Sequence, residues 1–261
     1  MTVAHSLDDR HEERPASILA PSAPADRPFS VRRGALVVGV GYLALVALML
    51  IIGTALTHIG PLERWDESVN RWLAGHRTSG WNEVTKVTTW FVNTLPAIGL
   101  AALISAMLAL RKRIREAVML ITALVLEVLV FLSVTWVVDR PRPDVVRLNA
   151  TPSTSSYPSG HTAAATVIFA GLAIIIFCCT RKLWVHVLFF VGAIAVASLV
   201  GFARVYRGMH HPTDVFAGAV LGAGCLVVAI LAVRAAGTRA ASSHARTSVR
   251  TAPRHVPSTA A

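Results

Sequence analysis

Arg204-Val205-Tyr206-Arg207-Gly208-Met209-His210-His211-Pro212-Thr213-Asp214 joins two long apolar segments, 183–203 and 215–233. Each segment is long enough to cross a bilayer as a helix, so the stretch between them reads as the turn linking two spans. A nucleophilic histidine needs a neutral ring with one nitrogen free and the other held by a fixed acceptor. His210 and Asp214 have the types and spacing for that arrangement. Pro212 suits the first turn of a helix, and a helix beginning at His211 or Pro212 brings Asp214 back under the ring of His210. Arg204 adds a planar, permanently charged fork that fits phosphate oxygens. Taken alone, the stretch also reads as a wet connecting loop whose polar residues only keep it soluble.

The same pattern of long apolar runs and short polar breaks continues outward. Of the 261 residues, 54% are apolar and 15% charged, and the mean hydropathy is +0.58. That is too apolar for an ordinary soluble domain. Six spans are expected at 34–58, 88–110, 117–138, 162–179, 183–203 and 215–233, with Pro96 as a candidate kink in the second. The fold class is therefore all-α, a polytopic membrane bundle of six helices. The net charge is +11, but the basic residues gather in tails and short loops, a distribution that fits membrane orientation rather than nucleic-acid binding. Six spans put both termini on one side, with the basic loop 111–115 and the turn Arg181-Lys182; the positive-inside tendency makes that side cytoplasmic. The expected organisation is a disordered tail over 1–31, a membrane domain over 32–235 and a disordered basic tail over 236–261. No secretory signal is expected, because the first apolar run is too long for a signal core.

Between the first two spans, Trp65 and Trp72 lie seven apart, which suggests a short helix lying on the membrane surface, or else a plain folded connector. Cys178, Cys179 and Cys225 fall inside or at the edge of apolar runs, so neither a disulfide framework nor a zinc site is expected. Glu127 lies within the third span and reads as a protonated or paired interior carboxyl rather than a catalytic one.

Two further polar stretches fall on the outer side. Ser155-Ser156-Tyr157-Pro158-Ser159-Gly160-His161 precedes the fourth span. Small residues at a helix start leave backbone N–H groups free to meet an anion, with His161 beside it; the plain alternative is a helix cap from Ser159 or Thr162. Asp139-Arg140-Pro141-Arg142-Pro143-Asp144 follows the third span, and its prolines stiffen the chain so that two guanidinium groups share one rigid edge.

Together the three stretches resemble the type-2 phosphatidate phosphatase superfamily, which includes bacterial acid phosphatases and vanadium haloperoxidases. The family pattern is Lys, six residues and Arg-Pro; then Pro-Ser-Gly-His; then Ser-Arg, five residues, His, three residues and Asp. Arg142-Pro143, Pro158 to His161, and Arg204, His210 and Asp214 match it, over about eighty residues from Thr135 to Asp214. The lysine position holds Thr135 and the serine position Ala203. The resemblance implies a lipid phosphatase working through a phosphohistidine. His210 would attack, oriented by Asp214, and His161 would protonate the leaving group, while Arg142, Arg204, Ser159 and Gly160 hold the phosphoryl oxygens. Arg140 is added on its position alone, as a substitute for the missing lysine, and His211 remains an alternative nucleophile. No metal or other cofactor is expected, since the motifs lack a carboxylate cluster suited to Mg²⁺. The expected partners are the bilayer and a lipid phosphate, either phosphatidate-like or a polyprenyl diphosphate. A phospholipid-binding or transport protein, a phosphotransferase and a vanadate-dependent peroxidase are the competing classes.

Overall fold

The computed structural model describes residues 30–150 and 154–237; both expected tails lie outside this range except for their innermost residues. Eight helices follow in order: α1 (Val31–His58), α2 (Gly60–Gly75), α3 (Ser79–Phe91), α4 (Thr94–Leu110), α5 (Ile114–Val137), α6 (Gly160–Phe177), α7 (Leu183–Tyr206) and α8 (Pro212–Gly237). There is no strand among the described residues. Helices α1, α5, α6, α7 and α8 are each long and apolar enough to cross a membrane, and α3 with α4 forms a sixth, bent pair. The chain is an all-α, multi-pass membrane protein.

The second span departs from the continuous, Pro96-kinked helix expected at 88–110. Helix α3 begins at Ser79, the break falls at Val92-Asn93, and α3 and α4 are bent by 52°. Pro96 sits in the first turn of α4, where its missing N–H interrupts no helical hydrogen bond. The bend instead exposes Asn93, which caps nothing with its side chain and turns toward α6.

Helix α8 lies at the centre, packed against α1, α5, α6 and α7. Its core face carries Leu221, Cys225, Leu226 and Ala229 against Leu120, Ala123, Leu126 and Val130 of α5 and Ile168 of α6. Outward-facing Leu103, Val125, Trp136, Leu183, Trp184 and Phe190 are all exposed, as expected where the surrounding medium is hydrocarbon. Small residues bring the helices together: a Cβ at Gly218 would stand 2.4 Å from the carbonyl oxygen of Ser159, and one at Gly222 2.5 Å from that of Ala163. The start of α6 is thus pressed onto the first turns of α8, which puts His161 near the end of the helix that carries Asp214.

One end of the bundle gathers the basic turns. Arg113 of the α4–α5 turn donates to the carbonyl of Cys178 in the α6–α7 turn at 3.3 Å, and Ser30 N–H donates to Ala236 O at 2.7 Å, tying the start of α1 to the end of α8. At the opposite end converge residues 138–150 and 154–159, the α7–α8 turn and the connector. That connector is α2 with the turn leading into α3, and α2 has two faces: Trp65 and Trp72 point outward, while Asp66 and Asn70 are buried against the site. Glu127 is buried in mid-span, roughly 16 Å of helix rise from Val138.

Candidate active site

Helix α7 ends at Tyr206 with Arg207 as its C-cap, followed by Gly208 in the left-handed conformation, φ +69°. Gly208 N–H bonds to Val205 O at 2.9 Å and Met209 N–H to Arg204 O at 3.0 Å, the two closing bonds of a Schellman turn. That reversal directs His210 inward, and α8 starts two residues later. His210 is 4% exposed, and its Nδ1 lies 2.6 Å from the carbonyl of Ser156. A carbonyl only accepts, so Nδ1 carries the proton and the lone pair is on Nε2. Nε2 has no hydrogen-bond partner among the described residues.

Ser156, rather than Asp214, therefore holds the ring. The sequence placed Asp214 as the direct orienter, yet its Oδ2 stands 4.0 Å from Nδ1, beyond hydrogen-bond reach. The carboxylate is fully buried. It accepts from Arg140 Nη1, from the Ser156 hydroxyl and from the backbone N–H of His211 at 2.9 Å. It fixes the loop that supplies the carbonyl and keeps its negative charge beneath the imidazole.

His211 is engaged on both ring nitrogens, with Asn70 Nδ2 3.4 Å from Nδ1 and Nε2 3.3 Å from Pro141 O. No lone pair remains for attack, so geometry favours His210. Burial pushes the pKa of His211 down to about 4, with Arg140 adding to the shift and Asp66 opposing it. Burial also holds His210 well below the ordinary histidine range; Arg204, Arg142 and His161 add to this and the bond to Ser156 opposes it.

Arg204 is 4% exposed and its Nε has no partner among the described residues. A buried guanidinium so placed calls for an anion. Arg142 is held by Met209 O at 2.6 Å and by the carbonyls of Thr154 and Ser155 at 3.2 and 3.3 Å, with its own Nε also unpartnered. Arg140 differs from the sequence expectation. It donates to Asp66 at 2.7 Å, to Thr213 at 2.8 Å and to Asp214. A guanidinium clamped between two carboxylates does not take the place of the missing lysine. Thr135, at the lysine position, is buried and donates to Tyr157 O at 3.3 Å.

Ser159 N–H bonds to Asp214 O at 3.0 Å, and its hydroxyl pairs with Thr162 at 2.9 Å. Ser159 makes no side-chain cap on α6, so the N–H groups at Gly160 and His161 are left open to an anion, with the dipole of α6 behind them. His161 Nε2 lies 3.1 Å from Asn93 Oδ1, which leaves Nδ1 as the second ring atom available for proton transfer. Among the described residues no group of three or more His, Cys, Asp or Glu side chains could hold a metal ion.

Sequence reasoning missed Asp66, Asn70, Asn93, Ser156 and Thr213. Their only sequence signal was Asp66 and Asn70 four apart, one turn of a helix whose other face carries Trp65 and Trp72.

Residues 116–237 match the sequence profile of the PAP2 superfamily. Phosphatidylglycerophosphatase B of Bacillus subtilis is 27% identical over 185 residues, covering 69% of this chain and 88% of that protein. Undecaprenyl-diphosphatase of Sulfolobus acidocaldarius is 30% identical over 125 residues, covering 46% and 56%. The crystal structure of a transmembrane PAP2-type phosphatidylglycerolphosphate phosphatase from Bacillus subtilis superposes with a TM-score of 0.62 at 26% identity, covering 72% of this chain and 93% of that one. The bundle, the histidine-arginine-aspartate arrangement and these likenesses agree on the PAP2 superfamily of membrane-associated phosphatases, whose profile residues 116–237 of this chain match.

Proposed function

We propose that this protein removes phosphate from a lipid phosphomonoester or diphosphate at the extracytoplasmic membrane face, through a phosphohistidine and without a metal. The observation that carries the reading is the buried His210 ring, held by Ser156 with Nε2 unengaged, beside Arg204, a buried guanidinium whose Nε lacks a partner. In the first step Nε2 of His210 bonds to phosphorus while the bond to the leaving oxygen breaks, and His161, protonated on Nδ1 once the substrate's phosphate charge offsets Arg142 and Arg204, gives that oxygen the Nδ1 proton. In the second, His161 takes a proton from water; the resulting hydroxide bonds to phosphorus, the P–N bond breaks, and inorganic phosphate leaves. Arg142, Arg204 and the N–H groups at the start of α6 balance the charge on the equatorial oxygens. That cationic set supports a reaction needing no Mg²⁺.

A lipid substrate is supported by the position of the site at one end of a membrane bundle and by the names of the relatives, one a phosphatidylglycerophosphatase and another an undecaprenyl-diphosphatase. The extracytoplasmic placement is supported by Arg32, Arg33, the 111–115 loop and Arg181-Lys182 gathering at the opposite end. Purified protein in detergent micelles with EDTA is expected to release phosphate from at least one member of a panel of phosphatidate, phosphatidylglycerol phosphate and a polyprenyl diphosphate. His210→Ala and His161→Ala are each expected to lose at least 100-fold in kcat while remaining folded. Retained turnover in both variants removes the mechanism.

A further inference from the structure

We propose that Asp66 of α2 is a positioning residue for the nucleophile, supplying through Arg140 the net negative charge that Asp214 presents beneath His210. This rests on the reading of His210 as the attacking group. Asp66 lies outside the segment that matches the family profile, on a connector helix, yet it is fully buried. Its Oδ1 accepts from Thr213 N–H at 3.1 Å. Its Oδ2 accepts from Arg140 Nη2 at 2.7 Å and from the Thr213 hydroxyl. A buried carboxylate is costly unless paired, and a neutral acceptor would suffice to hold Thr213 alone.

The charge count explains why a carboxylate is there. Arg140 bonds to Asp66 and to Asp214, so two negative groups share one positive group and the cluster carries a net charge of minus one. Without Asp66, Arg140 would neutralise Asp214 and leave nothing to face the ring 4.0 Å away. Attack by Nε2 makes the imidazole cationic, and Arg142 and Arg204 both oppose a positive His210. A net negative cluster beneath the ring offsets that repulsion as the bond to phosphorus forms, in a buried setting where such a charge is weakly screened.

The test compares two variants of the full-length protein in micelles, using the lipid phosphate of the panel above that turns over fastest. Asp66→Asn keeps the shape and removes one charge, so kcat is expected to fall 10- to 100-fold with KM changed less than threefold, and less acid-labile phosphoprotein should be trapped on quenching. Adding Arg140→Gln to that variant returns the cluster to minus one and should recover at least fivefold in kcat. A purely structural clamp predicts the reverse, with further loss in the double variant. Unchanged kcat in Asp66→Asn, or a double variant no better than the single one, overturns the proposal. If Asp66→Asn does not fold, the double variant decides: kcat within tenfold of the parent supports the charge count and a lower value overturns it. His210→Ala, run in parallel, separates the two levels, because phosphate release surviving in that variant overturns the phosphohistidine reading itself, whatever the Asp66 variants do.

Discussion

At the scale of single residues, the proposed chemistry depends on keeping His210 neutral with Nε2 unengaged. Burial, Arg204 and Arg142 lower its pKa, and because the folded value lies below the ordinary value near 6.5, the unfolded chain binds a proton the folded chain refuses. Between those two values folding stability rises with pH, so acid weakens the fold as pH drops through about 6.5. His211 acts in the same direction in the window between about 4 and about 6.5. Histidine ¹³C NMR of the detergent-solubilised protein is expected to show His210 titrating below the ordinary range, and Arg142→Gln should move it upward; a wild-type midpoint at or above 6.5 would contradict the charge assignment. The motif residues were legible because the family pattern is a matter of local spacing. Ser156 was not, since its role is played by a backbone carbonyl, and every residue has one. Asp66 was not because its partners Arg140 and Thr213 are remote in sequence, and only the folded bundle brings them together. Arg140 was misjudged for the same reason: sequence showed a cation beside the site but not the two carboxylates that claim it.

At the scale of elements, the site is a joint between helix ends. Helix α8 approaches the start of α6 closely enough that a Cβ at Gly218 would sit 2.4 Å from a backbone oxygen, an atom that cannot swing aside as a side chain can. Gly218→Ala is therefore expected to part the two helices, lower thermal stability by about 1–3 kcal/mol and reduce kcat at least about tenfold, since the open N–H groups of α6 and the carboxylate of α8 would lose their register. Thermal unfolding and turnover measured on the same preparation check both numbers. The positions of five spans were legible from apolar length alone. The α3–α4 bend was not, because Pro96 is the visible breaker, whereas the turn at Val92-Asn93 carries no proline or glycine. Trp65 and Trp72 did announce a helix with an outward face, but periodicity could not say whether its polar face would meet water or the bundle.

At the scale of the whole molecule, the two ends of the bundle differ in kind: one gathers basic turns, the other the histidines and the buried arginine-carboxylate cluster. The orientation proposed from this difference makes a direct expectation. In a background with Cys178, Cys179 and Cys225 replaced by alanine, Val146→Cys should react with an impermeant maleimide added to intact cells, while Lys182→Cys should react only after permeabilisation. Labelling of both from the same side would remove the topology. The clasp between the first and last spans has a consequence for biogenesis. Helix α1 packs along α8, with Ser30 bonded to Ala236, although nearly the whole described chain separates them. Helix α1 must therefore wait in lipid without its principal mate until translation reaches α8. Its largely apolar surface suits it to that interval, and the joint between α6 and α8 can close only once α8 has been made.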